Sequence, residues 1–367
     1  MNSNEKLRAF RKQLAGEGFF ERAPRRIIAE LTIFVAATGV GVILLLSIDS
    51  LVVDTLAMWL ITMAGMGMST NAHTASHNAV STSRWVNEVM TYFGYAFFLQ
   101  VSVSYWRHKH LVVHHQEPNV AGHDDDVDLA PYFALTEQDV AKAGPVLRAL
   151  YRVQWLYFPV LLAGNAFNVI LTGWIFLIRK LLDPQERQLS HWLDLSLLLL
   201  HYVFWIILPM FFLPVASVVT FTLVRFTLMS YGMFALFAPA HFPSEAVILE
   251  PGVADDDWLP AQTVTAVNFR TRWLGRLICG GVEYQIEHHL FPTISPTHYP
   301  VLSPKVRDFC ESLGYPHRTL GWGEGIWKSY TALMRPKPVF SRLDRAVIEA
   351  GLPEVKTAEG PVAQRVP

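Results

Sequence analysis

Four stretches of this chain are too long and too apolar to rest in water: residues 27–48, 51–68, 193–212 and 215–237. A bilayer-spanning helix needs about 20 mostly apolar residues. Residues 31–48 carry no charge at all, and Asp54 is the single acid in the second stretch. Inside lipid every backbone group must be satisfied within the segment, so these stretches can only be helices. Asp49 and Ser50 make a very short link between the first two, and Pro214 sits between the last two. The expected fold class is therefore an all-α integral membrane protein whose four transmembrane helices form two hairpins.

Two weaker apolar stretches lie between the hairpins. Residues 89–105 are interrupted by Gln100 and several serines; residues 156–178 carry Pro159, Asn165, Asn168 and Gly173. Such interruptions fit hydrocarbon poorly, so both are expected to lie at the interface or insert partway. Lys6, Arg8, Arg11, Lys12, Arg22, Arg25 and Arg26 precede the first span. The positive-inside rule puts them in the cytoplasm. With two crossings per hairpin, the loops after the second and fourth spans return to that side. The expected organisation is a cytoplasmic N-terminal segment over 1–26, a membrane domain over 27–337 with interfacial helices and a cytoplasmic helical cap, and a loose tail over 338–367. The charged lead before a long apolar run reads as a retained anchor rather than a signal peptide.

Histidine is the second anomaly. Seven of the 14 fall between His73 and His123, where an even spread would put about two. His73 and His77 stand four apart, on one helix face, just past the second span. His110, His114 and His115 follow, and then Gln285, His288 and His289; His241 stands just beyond the fourth span. Parity of the crossings brings these clusters to one membrane face. Isolated, each has an ordinary explanation in a polar interfacial helix or a helix-end imidazole. Independent structural histidines have no reason to gather on one side. Eight imidazoles exceed the coordination of one ion, so two ions are expected. Imidazole suits zinc, copper, iron and nickel; zinc takes fewer ligands, which favours a pair of irons. Neutral ligands leave the metal charge uncompensated, so acids should stand behind them. Asp125 and Asp128, in the run after the second cluster, and Gln285 are the candidate outer residues.

Net charge is −1, with 30 basic against 31 acidic residues, so there is no basic excess to bind nucleic acid. The two cysteines, Cys279 and Cys310, exclude a disulfide framework.

The histidine pattern resembles the membrane fatty acid desaturases, whose hallmark is three histidine boxes. His73-xxx-His77 looks like the first, His110-xxx-His114-His115 the second and Gln285-xx-His288-His289 the third. The Gln-initiated third box, read in full as QIEHHLFP, is similar to that of front-end acyl desaturases. The resemblance runs from about residue 71 to 316. It implies a di-iron enzyme that uses O₂ and two electrons to place a cis double bond in an acyl chain. The implied partners are a fatty acyl substrate on lipid, CoA or carrier protein, the membrane lipid, and a separate redox protein such as a ferredoxin or a cytochrome b5-like carrier. The chain departs from the family at Thr74, where many first boxes carry an acid, and in having no HPGG motif. Hydroxylases, acetylenases and ketolases share the boxes. A metal transporter would place ligands near the bilayer midplane, and a zinc hydrolase would need only three or four of these histidines.

Overall fold

The computed structural model describes residues 3–351. Its elements are mostly helices, numbered here where they matter to the site: α1 (Ser3–Gly16), α2 (Pro24–Ser47), α3 (Leu51–Ser76), α4 (Val103–Trp106), α5 (Gln154–Leu162), α6 (Asn165–Leu182), α7 (Leu189–Phe211), α8 (Val215–His241), α9 (Gln285–Leu290) and α10 (Leu343–Gly351). Strand pairing is minor. Ile248–Leu249 runs parallel to Val339–Phe340, and Asn268–Arg270 parallel to Thr319–Gly321.

The first hairpin, α2 with α3, is packed through glycine. A Cβ on Gly67 would lie 2.1 Å from the Phe34 ring, and one on Gly41 would lie 2.6 Å from Ile61. Lipid tails offer no hydrophobic drive for helix pairing, so close backbone approach has to supply dispersion contact. The helix continues past the apolar run, to Ser76, and this carries His73 on its last turn.

The second hairpin joins α7 to α8 through Pro214, whose fixed φ opens α8. Arg225 is buried within it and meets no carboxylate among the described residues. Its guanidinium instead approaches His201 Nε2 at 3.3 Å and lies over the Trp205 ring at 4.6 Å. His201 in turn faces the Phe97 carbonyl with Nδ1 at 2.7 Å.

Among the described residues five helices, not four, are long and apolar enough to cross a membrane; the additional one is α6. It lies in the stretch expected to insert only partway; Pro159 precedes it, while Asn165, Asn168 and Gly173 fall within it without breaking it. Pro159 sits inside α5, and the break between α5 and α6 falls at residues 163–164. Ser230 on α8 receives that junction, accepting from the Ala166 amide at 2.9 Å and donating to the Ala163 carbonyl at 3.0 Å. The other weak stretch breaks into a helix, a π-helical segment (Phe93–Leu99) and a left-handed turn at Gln100, φ 63°.

A cap follows α8. In it α1 buries Phe10 and Leu14 in one apolar cluster with Ile286, Leu290 and Phe291, directly behind the third box. The expected loose tail from 338 instead begins with an ordered strand, Val339–Phe340, and α10, which buries Ala346 and Ala350 against Val253, Ala261 and Val264. Small residues four apart on one helix face gave too weak a periodic signal to be recognised. Residues 352–367 of that expected tail lie outside the described residues.

Gly67→Ala is expected to destabilise the protein by about 1–3 kcal/mol through overpacking. Thermal unfolding in detergent should show the loss, and Phe34→Leu in the same chain should recover part of it. Additive losses in the double variant would refute the contact.

Candidate metal centre

Two devices deliver the second box. Asp194, fully buried on α7, accepts from Ser102 Oγ at 2.7 Å and from the Val103 and Ser104 amides at 3.1 and 2.9 Å. These are the unpaired donors at the start of α4, which a carboxylate satisfies best. From Arg107 to His114 the helix then winds as a π-helix, and the His115 amide bonds back to the His110 carbonyl at 3.0 Å. This winding sets which histidines share a side. His110 and His115 face one group of ligands, while His114 turns to another.

The eight predicted imidazoles converge, and they divide five and three. His73, His77, His110, His115 and His288 place one nitrogen each within 4.8 Å of all the others; His114, His241 and His289 do the same. In the first group His73 Nε2 lies 2.8 Å from His110 Nε2, and His115 Nε2 lies 3.2 and 3.0 Å from those of His110 and His288. His77 Nε2 is buried with no hydrogen-bond partner.

Burial pushes the pKa of His77, His110, His115, His288 and His289 well below the ordinary value, with their mutual repulsion adding to it. These rings are neutral, the form that binds metal. Burial also works against charge on His114, but Asp124 outweighs it and raises this ring.

Outer partners settle the tautomers of the three-histidine group. Nδ1 of His114 faces Asp124 at 2.9 Å, that of His241 faces the Thr265 carbonyl at 3.1 Å, and that of His289 faces Gln262 Oε1 at 2.8 Å. All three acceptors require a proton on Nδ1, leaving the lone pair on Nε2. The Nε2 lone pairs so freed on His241 and His289 accept from the Gln285 side-chain amide, and they are the atoms that would bind a metal. The donor set therefore fits a pair of metal ions.

Gln285 was expected as an outer residue. Its side-chain amide instead stands inside the three-histidine group, Nε2 donating to His241 Nε2 at 2.9 Å and to His289 Nε2 at 3.0 Å. It is one helical turn before His288 and His289, so α9 aims all three at the centre. The amide oxygen is the atom of Gln285 that could serve a metal.

The acidic outer residues also differ from expectation. Asp125 and Asp128 are exposed and make no contact with the site histidines; Asp124, fully buried, holds His114, and Asp126 lies 3.5 Å away. A turn closed by the Val127 amide on the Asp124 carbonyl points successive acids in different directions. Burial opposes ionisation of Asp124, yet His114 and the amides of Asn119 and Asp126 hold its carboxyl well below the usual range. Beneath the third box, fully buried Glu287 bonds Asn268 Nδ2 at 2.7 Å and His317 Nε2 at 2.8 Å. Thr265 and Gln262 had no signal in the sequence, since each acts through a fold-dependent contact. Of the aromatics near the boxes, Trp106 stacks on His110 at 4.6 Å, whereas Tyr105 packs against Phe176.

A model of the fatty acid desaturase family matches residues 50–321. The chain is 30% identical to the sn-1 linoleoyl-lipid 6-desaturase of Synechocystis over 266 residues, covering 67% of this chain and 69% of that one. It is 28% identical to a Delta(8)-fatty-acid desaturase of Euglena gracilis, covering 93% of this chain and 80% of the relative. A Delta(5) fatty acid desaturase of Caenorhabditis elegans is 26% identical over 70% of this chain and 57% of its own length.

Asp124→Ala is expected to weaken metal binding roughly 10–100-fold, the usual effect of losing an outer partner of a ligating histidine. Asp125→Ala and Asp128→Ala should leave it unchanged. Iron titration of the purified chain separates the cases, and equal effects at all three positions would contradict the geometry.

Proposed function

The chain belongs to the fatty acid desaturase family and desaturates fatty acids, and from that premise we propose that it does so at a pair of iron ions held by its eight converging imidazoles. His73, His77, His110, His115 and His288 would hold one ion; His114, His241 and His289, with the Gln285 amide oxygen, would hold the other. The convergence of the eight imidazoles into two groups, each with its ring nitrogens within 4.8 Å of one another, carries this reading. Bound iron supplies the redox chemistry that no side-chain acid or base can bring to an unactivated methylene. Overall, –CH₂–CH₂– plus O₂, two electrons and two protons becomes –CH=CH– plus two waters. The electrons come from a separate one-electron carrier, a ferredoxin or a cytochrome b5-like protein.

The chain's own residues do the positioning. Asp124, Thr265 and Gln262 fix ring tautomers, and Asp194 aims the second-box helix. The substrate is an acyl chain carried on membrane lipid, as in the linoleoyl-lipid relatives. The Gln-initiated third box and the Delta(5), Delta(6) and Delta(8) names of relatives support a cis bond toward the carboxyl end of that chain.

The proposed topology has four crossings, α2, α3, α7 and α8, with the site and N-terminus cytoplasmic and a membrane domain running from residue 27 to 337. His77 follows α3 and His241 ends α8, yet both belong to one centre, so the crossings between them must be even in number. The hairpin of α7 and α8 supplies two. Ser230, which receives the start of α6, lies ~16 Å along α8 from His241 at 1.5 Å per residue, about half the hydrocarbon thickness. Helices α5 and α6 therefore form a re-entrant pair.

Expression in a host with simple lipids, followed by fatty acid profiling with double-bond location, should reveal a new unsaturated chain. His115→Ala and His289→Ala should each abolish it. A product heavier by one oxygen, or activity surviving either replacement, would overturn the proposal.

A further inference from the structure

His241 differs from the other ligands of the three-histidine group. His114 and His289 sit in two-histidine runs of their own boxes, whereas His241 is the terminal residue of α8, where the last carbonyls have no helical partner. Whatever satisfies those carbonyls also sets where the ring stands.

Two buried side chains do so, from distant parts of the chain. Asn119 is fully buried and donates from Nδ2 to the His241 carbonyl at 2.9 Å and the Val247 carbonyl at 3.1 Å. Its amide donates to Asp124 Oδ2 at 2.9 Å, the same oxygen that faces His114 Nδ1. Asn119 thus ties two ligands of one group together. It adopts a left-handed backbone, φ 54°, which asparagine tolerates better than most residues.

Lys337 approaches from the other side. Its ammonium donates to the carbonyls of His241 and Pro243 at 3.3 Å each and of Ala246 at 2.6 Å, and the residue is only 6% exposed. Burying an ammonium is costly without partners. Three carbonyls and the negative end of α8 offset that cost here. The Lys337 backbone is held as well, donating to the Leu135 carbonyl and accepting from the Glu137 amide. The residue lies beyond the stretch matched to the family, 50–321.

We propose that Asn119 and Lys337 are positioning residues that clamp His241 and thereby maintain the three-histidine half of the centre, while the five-histidine half stands independently of them. This rests on the reading of the imidazoles as iron ligands. No contact links either side chain to His73, His77, His110, His115 or His288 among the described residues.

The test uses the full chain, purified in detergent and loaded with ferrous iron, with iron per chain measured by mass spectrometry beside thermal unfolding and product formation. Asn119→Gly removes the side chain while keeping the left-handed backbone without strain. Lys337→Met keeps length and volume but no donor. Each should lower bound iron from two per chain toward one, with affinity for the second ion falling roughly 10–100-fold. Lys337→Arg should retain more of the second ion than Lys337→Met, and the surface variant Lys142→Met should keep both. Two retained ions in Asn119→Gly and Lys337→Met would overturn the clamp. Loss of both ions together would also overturn it, since the halves would then not be independent, as would equal loss in Lys337→Arg and Lys337→Met. A wild-type chain that binds no iron would overturn the di-iron reading itself, and that result is read before any variant.

Discussion

Desolvation of clustered imidazoles is the constraint on which the rest of this structure depends. Histidines that remain neutral at this density present ring nitrogens to a common centre, and neutral imidazole is the form that suits a shared cation. The protein gathers its ring nitrogens at eight positions drawn from four separate segments. Each segment has its own means of holding its rings. The first is the extended end of α3, the second a π-helical turn started by a carboxylate from α7, the third the short α9 backed by α1. The fourth is the terminus of α8, held by an amide and an ammonium.

The membrane shapes this arrangement. Spans can carry ligands only where they leave hydrocarbon, because the surrounding acids and carbonyls need a polar or protein-filled setting. His73 and His241 accordingly lie on last turns. The glycine contact between α2 and α3 and the Arg225–His201 contact between α7 and α8 bring those last turns to fixed places. Arg225 shows how a cation can be accommodated in a span without a carboxylate: an imidazole nitrogen and the faces of Trp205 and Phe226 supply diffuse negative charge instead of a discrete ion pair.

Much of the site was legible before folding. The eight imidazoles were identifiable because their spacing is chemical, and because two crossings per hairpin returned them to one side. Their division was not legible. Spacing by four pairs His110 with His114 on an α-helix; the π winding pairs His110 with His115. Gln285 read as an outer residue because an amide is a weak ligand. Only the approach of α9 to His241 shows it inside. Asp124 could not be told from Asp125 or Asp128, since a turn decides which acid in a run points inward.

Length and apolarity by themselves determined that this chain is helical and crosses a membrane, because lipid permits no other solution for its backbone. The clustering of histidine determined that it carries a metal-ligand set. Tertiary structure decided which five imidazoles oppose which three, what α5 and α6 do between the hairpins, and how far the fold extends toward the C-terminus. Those outcomes rest on contacts such as Ser230 with Ala163 and Ala166, or Lys337 with the end of α8. The partners are 64 to 96 residues apart, and nothing in the local sequence records that they meet.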